Sequence, residues 1–154
     1  MADFATDYNL GEDVLKNAVT EAVEYDATIT KGEVLKITAV SAETGIVKVQ
    51  IATATDKGNF VAMFSGVAGD FKQALKKGLT KLTAGGAIAI NDPVRPGAAG
   101  KVVTTTRTLP TGAVAVTSDA ATPDVNAGFG CGTSYQVPAA DLDTFLCFFN
   151  GELA

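Results

Sequence analysis

The sequence predicts a mainly β domain, a compact sandwich or barrel with one short helix and an extended N-terminal arm. Three observations carry that expectation. From Lys31 onward, strand-length runs rich in Val, Ile and Thr are cut by Gly-, Pro- and Asn-containing turns about every eight to twelve residues. Hydrophobic residues make up 47% and charged residues 19% of the 154-residue chain, a balance that argues for one packed core and against disorder. The stretch Gly78–Thr106 sets two short apolar runs, Ala87–Ile90 and Val102–Val103, on either side of the turn-rich NDPVRPGAAG. Each run is too short for a stable helix and is bounded by Gly or Pro, which favours strands.

Taken in order, the chain divides into an arm, residues 1–20, and a single β-rich domain, residues 21–154. Two patterns compete near the junction. Val14, Leu15, Ala18, Val19, Ala22 and Val23 share a helical face, whereas Val23, Tyr25, Ala27 and Ile29 alternate with polar residues as in a strand. Both patterns hold in succession if a helix or extended arm precedes about Thr20 and a strand runs from about Ala22 to Thr30. Val34–Val40 is a strand, Glu43-Thr44-Gly45 a turn, and Ile46–Ala54 the hairpin partner. Phe60–Val67 returns to apolar residues after Lys57-Gly58-Asn59. The one helix is expected over Gly69–Gly78: Asp70 suits an N-cap, Phe71, Ala74 and Leu75 share a face, and Gly78 suits the end. Its apolar face would lid one end of the β core. Ala113–Thr117 and Tyr135–Val137 are further short strands, with Ser118–Gly132 a surface loop between them. At the C-terminus, Leu142, Phe145, Leu146 and Phe149 fit a helix, but Thr144–Phe149 holds three Phe in six residues and favours a strand.

Charge and composition narrow the function. A net charge of −5 and a pI near 4.6 disfavour nucleic acid, whose phosphates need a basic footprint. Lys72, Lys76, Lys77 and Lys81 cluster, but read as a solvated face. Uncharged windows such as Leu82–Ile90 are too short to span a membrane, and the N-terminus shows no secretory pattern. Histidine is absent, which removes the commonest general base and transition-metal ligand. Cys131 and Cys147 are expected to be reduced, Cys147 as a small apolar residue in FLCFF.

Motifs of the kind that carry chemistry fail on spacing or context. Gly97–Lys101, GAAGK, has too few residues between its glycines for a phosphate loop and runs into VVTTT, so it reads as a tight turn. GFGCG at Gly128–Gly132 lacks the strand-then-helix context of a dinucleotide site. Asp141 with Asp143 and Asp119 with Asp124 are carboxylate pairs that nothing in the sequence brings together across a cleft. Asn91-Asp92 before Pro93 reads as turn chemistry, and no acidic run has the twelve-residue pattern of a calcium loop. No catalytic, cofactor-binding or metal-binding residue is expected, and no enzymatic activity. A small carboxylate-only glycosidase is the weakest of the readings. The residues that stand out are Phe4, Tyr8 and Leu10, apolar anchors in a polar arm, which fit docking onto another protein or packing back onto their own domain.

The order of short phrases along the chain adds a further reading. Thr30-Lys31-Gly32-Glu33-Val34-Leu35-Lys36, Gly78–Ala84, Ala87–Val94 with its Asn91-Asp92-Pro93-Val94, Gly100–Thr104 and Thr111–Ala115 resemble, in sequence, the small capsid decoration (cement) proteins of tailed phages. The resemblance covers roughly residues 22 to 117, and each phrase alone is unspecific. It departs from that family's pattern in the long N-terminal segment, the helix expected at Asp70–Lys77, and the Gly-rich loop and Phe-rich tail after Ser118. What the resemblance implies is a β-tulip-type domain and a non-enzymatic virion protein on the outer capsid surface, made in the host cytoplasm. It implies a homotrimer that binds the major capsid protein and clamps neighbouring subunits, with no cofactor, nucleic acid or membrane. A receptor- or carbohydrate-binding module of a phage tail, fibre or cell surface is the alternative from a different class.

Overall fold

In the computed structural model, residues 18–105, 131–134 and 144–151 are described. They form nine strands: β1 (Val19–Tyr25), β2 (Val34–Val40), β3 (Val47–Ile51), β4 (Phe60–Ala62), β5 (Phe71–Thr83), β6 (Pro93–Pro96), β7 (Val102–Thr104), β8 (Gly132–Ser134) and β9 (Thr144–Asn150). A single 3-10 turn, Ala98–Gly100, joins β6 to β7. The sheet order is β1-β3-β2-β4-β5-β9-β8-β6-β7, and β1 also pairs with β5. That extra pairing closes the first five strands into a barrel, which removes most of the sheet edge those strands would otherwise expose. Within it β1 and β3 run parallel, and the other contacts are antiparallel. The remaining strands continue from the C-terminal half of β5, and a parallel bridge between Ala84 and Val102 brings β7 back to the end of β5.

The strand period of two decides which core each side chain enters. Val34 and Leu35, Phe60 and Val61, Ala74 and Leu75 are adjacent pairs, and in each pair both residues are buried. Leu35, Phe60 and Ala74 point into the barrel with Val23, Tyr25, Ile29 and Val49. Val34, Val61 and Leu75 point out of it, into a second core with Leu82, Val94, Val102, Phe145, Cys147 and Phe149. The start of β2, β4 and the Ala74-Leu75 step of β5 are therefore a wall buried on both faces, where adjacent residues are both apolar instead of alternating.

This wall explains the main departure from the sequence reading. The helix expected over Gly69–Gly78 is the first half of β5. Ala74 and Leu75 are not one helical face but opposite faces of a strand, each with its own core. Phe71, the third member of the supposed face, is 58% exposed. Asp70 caps no helix; its Oδ2 accepts the Val67 N–H at 3.1 Å and closes the β4–β5 turn, where Gly69 takes φ +90°. Further along, the β1–β5 register slips: Thr20 faces Leu75 but Val19 faces Lys77, so Lys76 is an extra residue, a β-bulge. The bulge changes the parity of β5, so that Leu75 and the even-numbered Gly78, Thr80 and Leu82 are all buried. Gly78, instead of ending a helix, sits at φ +146° where an added Cβ would meet the Ala18 Cβ at 3.1 Å.

Other expectations are met in place or shifted. Val34–Val40 is a strand at those bounds and pairs antiparallel with β3, as the hairpin reading requires. The C-terminal segment is a strand. The strand expected from about Ala22 begins earlier, at Val19, and ends at Tyr25. Phe60–Val67 is a strand only to Ala62. Ala87–Ile90 is not a strand: the Ala89 N–H goes to Asp92 Oδ2 at 2.9 Å, Asn91 takes φ +66°, and Ile88 inserts into the second core. The strand lies one step later, in Pro93–Pro96, whose prolines occupy its two ends. Most of Ser118–Gly132, all of Ala113–Thr117 and Tyr135–Val137, and the arm up to residue 17 lie outside the described residues.

Candidate docking surface

The motifs weighed for chemistry occupy structural positions wherever the structure describes them. Around GAAGK, the Gly97 N–H goes to Lys101 O at 2.8 Å, the Lys101 N–H to Ala98 O at 3.2 Å and the Gly100 N–H to Ala52 O at 3.3 Å. Amides committed to protein carbonyls cannot cradle a phosphate. The end of GFGCG opens strand β8 instead of a helix. Asp92 is a turn residue, its Oδ2 accepting from the Ala89 N–H and, at 3.3 Å, from the Thr104 hydroxyl. Asp119, Asp124, Asp141 and Asp143 lie outside the described residues, as do Phe4, Tyr8 and Leu10. Cys131 and Cys147 are free thiols with no exposure, and burial pushes both well up, Cys131 to about 12. Thiols so placed stay protonated and unreactive near neutral pH. Among the described residues, no group of three or more His, Cys, Asp and Glu side chains is placed to hold a metal.

What the barrel does offer is apolar surface at its two ends. Because β1 and β3 run parallel and β2 antiparallel to them, the starts of β1 and β3 and the end of β2 share one end. Val19, Ile37 and Val40 are exposed there, at 44–60%. The same end holds a cavity of about 260 Å³ lined by the apolar Ile37, Val47 and Phe60 and by the charged Glu21, Lys57 and Lys76. Lys76 and Glu21, on the neighbouring strands β5 and β1, pair at 3.7 Å. The opposite end carries Phe64, Val67 and Phe71, exposed at 42–58%, around the β4–β5 turn. This turn is held firmly. Tyr25, fully buried in the barrel, donates its hydroxyl to Phe64 O at 2.7 Å, and Gly66 and Ile29 exchange backbone hydrogen bonds at 2.9 and 3.0 Å. The two aromatic rings are thus presented on an ordered platform.

The cavity end also holds an unsatisfied strand. β4 pairs with β2 only at Val34 and Leu35. Beyond that, Lys36–Val40 has a strand partner among the described residues on one side alone, β3. On the open side the Ile37 N–H is capped by Asn59 Oδ1 at 3.2 Å. Further on, the Ser41 N–H bonds to Ile46 O at 2.9 Å, so by the alternation of an antiparallel ladder the neighbouring Val40 turns its N–H and C=O outward. No family profile matches the chain, and no curated protein does. Among solved structures there is a match in fold. The chain resembles the N base of head fiber gp8.5 of bacteriophage phi29. The likeness has a TM-score of 0.59 at 15% identity and covers 89% of this chain and 98% of that one.

The two barrel ends and the open β2 edge were not singled out by the sequence. Ile37 and Val40 look there like ordinary members of an alternating strand, and only the early stop of β4 leaves them uncovered. Phe64 gives a weak signal: in FVAMFSGV it is the last aromatic before Ser65-Gly66, where the apolar run breaks.

Proposed function

We propose that this chain is a structural protein of a tailed-phage head, bound to the outer capsid surface, where it stabilises contacts between major capsid subunits. The observation that carries the reading is the likeness in fold to a phage head fiber base, over nearly the whole of both chains. The order of turn-and-strand phrases in the sequence leads to the same class of protein by a separate route. A closed barrel fused to a second core gives a rigid body, and apolar residues at both barrel ends give it surfaces to dock with. Trimers at three-fold or quasi-three-fold positions would let each copy bridge more than one capsid subunit.

The test is to add the purified protein to heads that lack it and measure the temperature or denaturant concentration at which they rupture. Decorated heads should rupture later; identical rupture with and without the protein would sink the cementing role. The arm enters the same assay: removing residues Met1–Leu10, with Phe4, Tyr8 and Leu10, should weaken head binding while the domain stays folded. Equal binding would remove the arm from the interface. Binding to host cells or glycans, with head stability unchanged, would instead favour a receptor- or carbohydrate-binding module.

A further inference from the structure

We propose that Arg95 and Thr105 form a small anion site on the outer face of the β6–β7 pair, built to take a carboxylate side-on. Val94 and Val102 turn inward from β6 and β7 into the second core, so by the period of two Arg95 turns outward, opposite Val103. Thr105 follows β7 and keeps its ladder, with its N–H donating to Pro93 O at 2.8 Å, which puts its side chain on the same face as Arg95. The two are diagonal cross-strand neighbours, about 7–8 Å apart at the backbone, a span that a long side chain covers.

Both side chains hold a polar atom that the protein leaves unmet. Arg95 Nε and Thr105 Oγ1 are buried and have no hydrogen-bond partner. An unmet buried donor on a charged group is among the costlier polar defects a fold can carry, so such atoms point to an ion or ligand that they serve. Arg95 is fixed from its other edge: Nη1 donates to Ala54 O at 3.2 Å and to Pro96 O at 3.3 Å. That leaves the Nε–Nη2 edge without an acceptor among the described residues. Its two parallel N–H groups match the two oxygens of a carboxylate, and the Thr105 hydroxyl can donate to one of them. Charge agrees. Lys36, Lys48, Lys72 and Lys76 each have a carboxylate at 2.9–3.8 Å, whereas Arg95 has none among the described residues, in a chain of net charge −5. Pro93, on the same face, is exposed, so this face is open to solvent beside the site. The fork reads only the carboxylate, which a small organic acid and an Asp or Glu side chain of a partner both present. None of the exposed apolar residues at the barrel ends takes part, so the inference stands apart from the capsid role.

The arginine Nε–H signals in the NMR spectrum of the full-length, isotope-labelled protein test it. The chain has two arginines, so Arg95→Lys identifies the Arg95 signal. As sodium formate replaces sodium chloride at a constant ionic strength of about 0.1 M, the Arg95 Nε–H should shift saturably and exchange with water about tenfold more slowly. Thr105→Val should weaken formate binding by about three- to tenfold. Arg95→Lys keeps the charge but not the fork, and should abolish the saturable rise in melting temperature that formate gives the native chain. An Arg95 Nε–H that does not respond to formate would overturn the proposal, as would undiminished binding in Thr105→Val. Inorganic phosphate binding more than about tenfold tighter than formate would overturn the carboxylate assignment. N-acetyl-aspartate amide separates the two sources: binding within about tenfold of formate supports a site that admits a partner's side chain, and no binding supports a site for small acids alone. Should Arg95→Lys unfold, the native titration and Thr105→Val still decide.

Discussion

Phe149 is where the coupling between the two cores can be measured. It is fully buried in the second core, and its cross-strand neighbours are Gly78 on β5 and Gly132 on β8. An aromatic side chain between two glycines fills space its neighbours leave empty. Neither glycine can grow to compensate: a Cβ at Gly132 would lie 2.5 Å from Phe148 O, and one at Gly78 would meet Ala18. Phe149→Ala should therefore open a cavity that cannot collapse, at a cost of about 3–5 kcal/mol. For a chain of this size each kcal/mol moves the melting temperature by about 2–4 °C, so the expected drop is about 6–20 °C. Calorimetry should still show one transition, because β5 carries Ala74 in the barrel core and Leu75 and Leu82 in the second. Val49→Ala, in the barrel alone, should lower the same single transition. A drop under about 2 °C would refute the packing argument. Two resolved transitions, one answering to Phe149 and the other to Val49, would refute the idea that β5 makes one cooperative unit.

Three further outcomes are expected. Burial, with the nearby charges of Asp70 and Glu33, raises the Tyr25 hydroxyl to about 12 against an ordinary value near 10. The folded state thus holds its proton longer than the unfolded one, so stability is full below about pH 10 and falls as pH rises toward 12; urea titrations should show that slope in the native chain and lose most of it in Tyr25→Phe. Gly151→Ala should destabilise by more than about 2 kcal/mol, since its Cβ would fall on the Asn59 carbonyl oxygen; chemical denaturation checks this, and a neutral result would displace the β9 end from the Asn59 turn. Phe64→Asp/Phe71→Asp should leave stability within about 0.5 kcal/mol yet reduce cosedimentation with phage heads. Undiminished binding would take that barrel end out of the interface.

The β class, the β2–β3 hairpin and the C-terminal strand were legible because their evidence is local. Val34–Val40 has β-branched residues and a turn on each side, and Thr144–Phe149 is dense in Phe. What misled was burial on two faces. A strand with one wet face alternates, but Ala74-Leu75 feeds two cores, and consecutive apolar residues spaced from Phe71 and Gly78 then imitate a helical face. The Lys76 bulge adds to this by shifting parity midway, which no period-two pattern can follow. Ala87–Ile90 misled for the converse reason: it alternates only in composition, and the Asn91-Asp92 turn takes its backbone. The docking surface was illegible because exposure at Ile37 and Val40 follows from the length of a different strand, β4.

The distribution of exposed apolar residues bears on how such a body could act. Of the seven large hydrophobic residues exposed among those described, Val19, Ile37 and Val40 lie at one barrel end and Phe64, Val67 and Phe71 at the other, with Ile90 apart. The barrel wall between them is closed by strand pairing, narrowest at the two-residue β2–β4 contact, and part of it is buried again under the second core. A closed, doubly packed wall resists shear, because sliding one strand past another would break a ladder and move side chains between cores. Sticky ends on a stiff body are what a bridging protein needs, since a load taken at one end passes to the other without deforming the middle. A binding module for a single small ligand needs only one such end. The proposed capsid-bridging role is therefore to be tested at both ends, by substitutions at the β4–β5 turn and at the barrel mouth.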